Sequence, residues 1–125
     1  MKIGLYLDHV SMHVLAKGLF VTCEPVDRIE SLQKGLIDER LEEVGSTYLV
    51  CDMEKEIQGK AKLVDAFITT YGEPDPKLLK YMGFADQLPR FKTEYAGFFK
   101  AHFPEESLID ETELFVTAYE PVVDS

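Results

Sequence analysis

The chain has 125 residues, 46% apolar and 29% charged, with a net charge of −10. That is the composition of one folded domain and excludes a chain that is disordered throughout. The charge is uneven: residues 24–56 hold ten acids and four bases, residues 104–125 hold seven acids and no base, and residues 57–103 carry seven bases against five acids. An acidic field repels phosphate backbones, so any nucleic-acid contact is expected from the middle segment.

Lys2–Leu7 (KIGLYL) is short, apolar and partly alternating, as a strand is. His9–Lys17 spaces Val10, Val14 and Lys17 as a helix does and stops at Gly18. Leu19–Glu24 (LFVTCE) reads as a buried strand, and Pro25 as a first helical residue. Val26, Ile29, Leu32, Leu36, Ile37, Leu41 and Val44 then recur every three or four residues, up to Gly45. This is an amphipathic helix with an acidic outer face. Gly35 in its middle costs about 1 kcal/mol against Ala, so a break or bend is expected there. Residues 26–44 could equally be a helix followed by a strand.

Ser46–Met53 and Ile57–Thr70 read as strands joined through Glu54–Glu56, with Lys60 and Lys62 facing out on one side. Asp75-Pro76 supplies an N-cap and a first helical residue for a short helix ending at Gly83. A second helix starts at Asp86 or Gln87, with Phe91, Tyr95, Phe98, Phe99 and His102 or Phe103 on its apolar side, and Pro104 stops it. Glu113–Glu120 is a closing strand with Leu114, Val116 and Ala118 inward, and the tail Val122–Ser125 is expected to fray. The order β-α-β-α-β-β-α-α-β has no regular βαβ beat. It predicts a single domain, residues 1–125, of the α+β class, with a curled, mostly antiparallel sheet and flanking helices.

Cys23 and Cys51 lack CxxC spacing and read as reduced, buried thiols. The opening MKIGLYLDHVSMH does not read as a secretory leader, and no run approaches 18 apolar residues. A cytoplasmic protein without a membrane partner is expected. His9 and His13 stand at helical i, i+4 spacing but lack a third ligand, so they read as helix histidines and no metal is assigned. Asp65, inside an apolar strand, either finds a partner or faces solvent. There is no Walker A, GxGxxG, GxSxG or zinc-ligand cluster, so no cofactor and no catalytic residue are assigned.

The stretch Thr47–Phe67 (TYLVCDMEKEIQGKAKLVDAF) resembles the central strands of the ASCH branch of PUA-like domains. The following two helices, an aromatic segment (EYAGFFKAHF) and a last strand come in the family's order, and PVDRIESLQKG is similar to its first helix. The resemblance covers residues 19–121 and implies a PUA-like pseudo-barrel, with an RNA or modified-nucleoside ligand and, in some members, amidohydrolase chemistry. The family's Gly-x-Lys motif is not kept. Gly35 is followed by LIDER, with Glu39 and Arg40 adjacent, and Gly18 by LFVTCE, with Thr22 and Glu24 but no Lys.

The first functional expectation is therefore a binding domain for RNA, a nucleotide or a modified nucleoside. Arg40, Lys60 and Lys62 are the candidate phosphate contacts, and Tyr48 or Tyr71 the stacking ring. The alternative is an acidic module that docks on a basic, nucleic-acid-binding protein. It would use Asp27, Glu30, Asp38, Glu42 and Glu43 on the helix, and Glu105, Glu106, Asp110, Glu111 and Glu113 near the tail. A third, weaker expectation is a hydrolase built around Lys17, Thr22 and Cys23.

Overall fold

The computed structural model describes residues 2–123. Five strands form one sheet in the order β1-β3-β4-β5-β2. They are β1 (Lys2–Tyr6), β2 (Phe20–Pro25), β3 (Thr47–Cys51), β4 (Ile57–Thr70) and β5 (Glu113–Pro121). β1 runs parallel to β3, and the other neighbours are antiparallel. The register slips between Ile3 and Leu5, between Val50 and Cys51, and between Leu63 and Asp65. Such irregularities add twist and curl the sheet. The expected α+β architecture with a curled, mostly antiparallel sheet is the observed one.

The helices are α1 (His9–Ala16), α2 (Val26–Leu32), α3 (Leu36–Glu42), α4 (Pro76–Tyr81) and α5 (Leu88–His102). The amphipathic run from Val26 to Val44 is two helices, because Gly35 sits at φ +88 and turns the chain between them. Pro25 ends β2 and does not begin the helix: its ψ of 133° keeps it extended, and Val26 is the first helical residue. Asp75 caps α4 as expected, its side chain accepting the Lys77 N–H at 2.9 Å.

Both faces of the sheet are covered. On one, Leu114, Val116 and Cys23 pack under Leu78, Leu79, Phe91, Tyr95, Phe99 and Phe103 of α4, α5 and the turn beyond. On the other, Tyr119, Tyr48, Val50, Ala61 and Leu63 pack with Leu7 and Leu15, and Phe115 with Ile29 and Ile37. β5 is thus buried from Leu114 to Tyr119 on both sides, where the sequence pointed Leu114, Val116 and Ala118 inward and set Phe115, Thr117 and Tyr119 against them.

The far ends of β4 and β5 are held by close backbone approach. The Gly72 N–H donates to the Asp110 carbonyl at 2.9 Å, and a Cβ on Gly72 would lie 2.6 Å from the Asp110 Cβ. Of the tail expected to fray, Val122 is tied by its N–H to the Lys60 carbonyl at 3.0 Å, Val123 is exposed, and Asp124 and Ser125 lie outside the described residues. No helix among the described residues is long and apolar enough to cross a membrane.

Candidate functional site

β2 is an edge strand, and a cleft of about 510 Å³ opens along it. That volume falls in the range of small-molecule sites. Five consecutive residues, Phe20 to Glu24, form one wall, and α5 supplies the opposite one. α5 has two stripes. Phe91, Tyr95 and Phe99 point into the core. Glu94, Phe98 and His102, each one turn apart, point sideways into the cleft. Met82 and Phe84, between α4 and α5, and Asp8 and Ser11, at the start of α1, complete the lining.

The cleft is aromatic and acidic. Phe98, 42% exposed, stacks on the His102 ring with centroids 4.3 Å apart, and His102 Nδ1 lies 3.0 Å from the Phe98 carbonyl. Glu94 is paired with Arg90 at 3.0 Å. Glu24 is exposed on the cleft wall, yet neighbouring protein removes part of the water around its carboxyl; that loss pushes its pKa above the ordinary carboxylate value, with Arg28 pulling the other way. Asp8 caps α1, and the hydrogen bond from the Ser11 N–H holds its pKa down. Among the described residues, no Lys or Arg lines the cleft.

Neither Thr22 nor Cys23, among the described lining residues, is an activated nucleophile. Burial pushes the Cys23 thiol up to about 12, which suppresses the thiolate. Thr22 Oγ1 is held against Thr117 Oγ1. The pocket around Thr22 and Cys23 exists, but Lys17 stands at the C-cap of α1 and does not line it, so the Lys17–Thr22–Cys23 grouping is not assembled.

The five residues named for a ligand fall elsewhere, and two of them come together. Arg40 lies over the Tyr48 ring, 5.1 Å to its centroid, and both bind Glu43: Arg40 Nη1 at 3.0 Å and Tyr48 Oη at 2.6 Å. Tyr48 is 2% exposed, so its ring has no face for a base. Lys60 is half-buried beside a hollow of about 200 Å³ under α1, while Lys62 is exposed. Tyr71 lies past the other end of β4, roughly 30 Å along the strand from Lys62. It packs against Phe91 and Tyr95 and donates its hydroxyl to the Lys92 carbonyl at 2.7 Å.

Two further readings resolve. Asp65 finds partners: partial burial would raise its pKa, but bonds from Tyr81 (2.7 Å) and Lys77 (3.2 Å) outweigh that and hold it low. Glu43, assigned to the acidic outer face, is instead buried beside Arg40.

Sequence reasoning named Thr22 and Cys23 on one wall but missed that Glu94, Phe98 and His102 form the other. The available signal was the four-residue spacing of Glu94, Phe98 and His102, a second stripe beside the core stripe of α5.

No family model matches the chain, and no curated protein does. Solved structures do. The fold is similar to that of a protein from Enterococcus faecalis V583 described under DUF984, with a TM-score of 0.63 and 13% identity, covering 98% of this chain and 76% of that one. It is also similar to an ASCH domain from Lactobacillus crispatus JV V101, with a TM-score of 0.58 and 14% identity, covering 94% and 79%. At these identities the likeness is one of fold: the chain has an ASCH-like, PUA-like pseudo-barrel fold.

Proposed function

On this ASCH-like fold, we propose a binding domain whose cleft beside β2 takes an uncharged heterocycle of nucleoside size. The observation that carries the reading is the lining itself: an exposed Phe98–His102 stack, the carboxylates of Asp8, Glu24 and Glu94, and no Lys or Arg among the described lining residues. Aromatic faces bind a base ring, and carboxylates accept its N–H groups. A phosphate would face like charge. Within the expected range of RNA, nucleotide and modified nucleoside, this chemistry favours the nucleoside. Binding rather than catalysis fits a wall whose Cys23 is inert and whose Thr22 is already bonded.

The test is a calorimetric titration of nucleosides and their 5′-monophosphates at low and physiological salt. The nucleoside should bind with an affinity indifferent to salt, and its monophosphate more weakly. A monophosphate that binds tighter, with affinity falling steeply as salt rises, would return the phosphate role to Lys60 and Lys62.

The basic-protein alternative rests on a different observation. Grooves of about 230 and 600 Å³ flank Glu111 and Glu113, and add Asp27 and Glu106 on one side and Glu73 and Asp110 on the other. It predicts that Glu111→Lys with Glu113→Lys abolishes a salt-sensitive association with a basic protein, whereas a nucleoside titration is unchanged.

A further inference from the structure

The orientation of the β2 main chain can be read from its neighbours. β5 lies between β4 and β2, and each of its residues turns its N–H and C=O to one side. The Tyr71 N–H donates to the Thr112 carbonyl at 3.0 Å, one step beyond the Thr70–Glu113 pair. Counting by twos from Thr112, the residues Leu114, Val116 and Ala118 turn toward β4, which leaves Phe115 and Thr117 for β2. Their partners on β2 are Glu24 and Thr22. Cys23 and Val21, opposite Val116 and Ala118, therefore turn their main-chain groups away from β5, toward the free edge. An independent contact agrees: Tyr95 Oη, arriving from α5, donates to the Cys23 carbonyl at 2.8 Å.

The free edge is the cleft wall, and Val21 and Cys23 both line it. Tyr95 uses the Cys23 carbonyl. No turn, loop or cap hydrogen bond among the described residues uses the N–H or C=O of Val21. Val21 thus presents a donor and an acceptor side by side, the pair that a neighbouring strand would read.

Building on the cleft reading above, we infer that the ligand is recognised by the main chain of Val21, which pairs with a lactam or amide edge carrying an N–H beside an acceptor. A pyrimidine or purine base has such an edge. Its ring would then lie in the cleft between β2 and the Phe98–His102 stack, with Glu24 and Glu94 taking further N–H groups. Side-chain substitution in β2 leaves this contact in place, which is why no motif in the sequence announces it.

The experiment is an amide NMR titration with uridine, cytidine, adenosine and guanosine, and with 3-methyluridine, N4,N4-dimethylcytidine, N6,N6-dimethyladenosine and 1-methylguanosine, whose pairing edges are blocked. At least one unmodified nucleoside should move the Val21 amide downfield, and blocking its edge should weaken binding about tenfold and abolish that shift. A nucleoside that perturbs the Phe98 and His102 rings while leaving the Val21 amide unmoved, with methylation making no difference, overturns main-chain recognition but leaves the cleft standing. If no nucleoside perturbs any cleft signal, the cleft reading itself falls, and the inference with it.

Discussion

Two regions of this molecule each set a glutamate beside aromatic rings and end in opposite states. Beneath α3, Glu43 sits among Arg40, Tyr48 and Tyr119, is 9% exposed, and accepts from both Arg40 and Tyr48. Beneath α5, Glu24 and Glu94 sit near Tyr95, Phe98 and His102 around about 510 Å³ of open space. The first is a closed network, and a carboxylate whose lone pairs are taken by the protein is part of the scaffold. The second leaves acceptors facing a hollow, where a ligand can use them. A mostly buried cation that takes up the carboxylate on one side, and open space on the other, separate structure from site.

The largest expected effect tests the closed side. Glu43→Ala takes the acceptor from the buried Tyr48 hydroxyl and leaves the mostly buried Arg40 the longer pairing with exposed Glu39 at 3.4 Å, at a cost of about 3 kcal/mol. Glu24→Ala, on the open side, should stay within about 0.5 kcal/mol. Urea unfolding of both variants reads the contrast. Equal costs would erase it.

Phe98→Ala tests the open side. Its ring is 42% exposed, so stability should fall by about 1 kcal/mol or less. Nucleoside affinity should fall about tenfold, the worth of one stacked base. A variant that binds as well as the parent would move the ligand out of this cleft.

The closed cluster was partly visible in the sequence, and of the open cleft only Thr22 and Cys23 on one wall were named as a site. Tyr48 and Val50 alternate with Thr47 and Leu49 along β3, so the pattern itself places Tyr48 on a buried face. Arg40 and Glu43 stand at i, i+3, which already offers the cation a partner. Reading Arg40 as a free phosphate contact overlooked that spacing. β4, in contrast, was legible from Ile57 to Thr70, because Lys60 and Lys62 alternate with the core residues Ala61 and Leu63 and lead into Ala66, Phe67 and Ile68 between turn signals. The break at Gly35 followed from the helix cost of glycine. Pro25 was one residue off because its fixed φ suits a strand end as well as a helix start. The cleft depends on bringing β2 against α5, as when Tyr95 reaches Cys23 across 72 residues. No local period carries that.

Tyr95→Phe sharpens the comparison at the boundary between the two states, since its ring is core and its hydroxyl serves the cleft wall. Losing one hydrogen bond should cost about 1 kcal/mol in urea unfolding. Nucleoside affinity should hold, because Val21 and not Cys23 carries the proposed pairing. A tenfold loss of affinity with unchanged stability would reassign the contact to the Tyr95 hydroxyl.

The smallest effect is a pH slope. The Glu24 pKa is raised in the folded state, chiefly because the cleft walls remove water from its carboxyl. The native state therefore keeps a proton that the unfolded chain has already released. This contribution to stability is full below the ordinary glutamate value and is lost as pH rises through the raised native value. Asp65 runs the other way: its lowered pKa gives a contribution present above the ordinary aspartate value and lost as pH falls through the native one. Glu24→Gln isolates the first from the second. Its stability relative to the parent should improve as pH rises through that window, read from urea midpoints at closely spaced pH. A saturating nucleoside that donates an N–H to Glu24 would favour the ionised carboxylate and flatten the difference. A slope of the opposite sign would mean that Arg28 governs Glu24, and that the wall of the open cleft is as internally satisfied as the closed cluster.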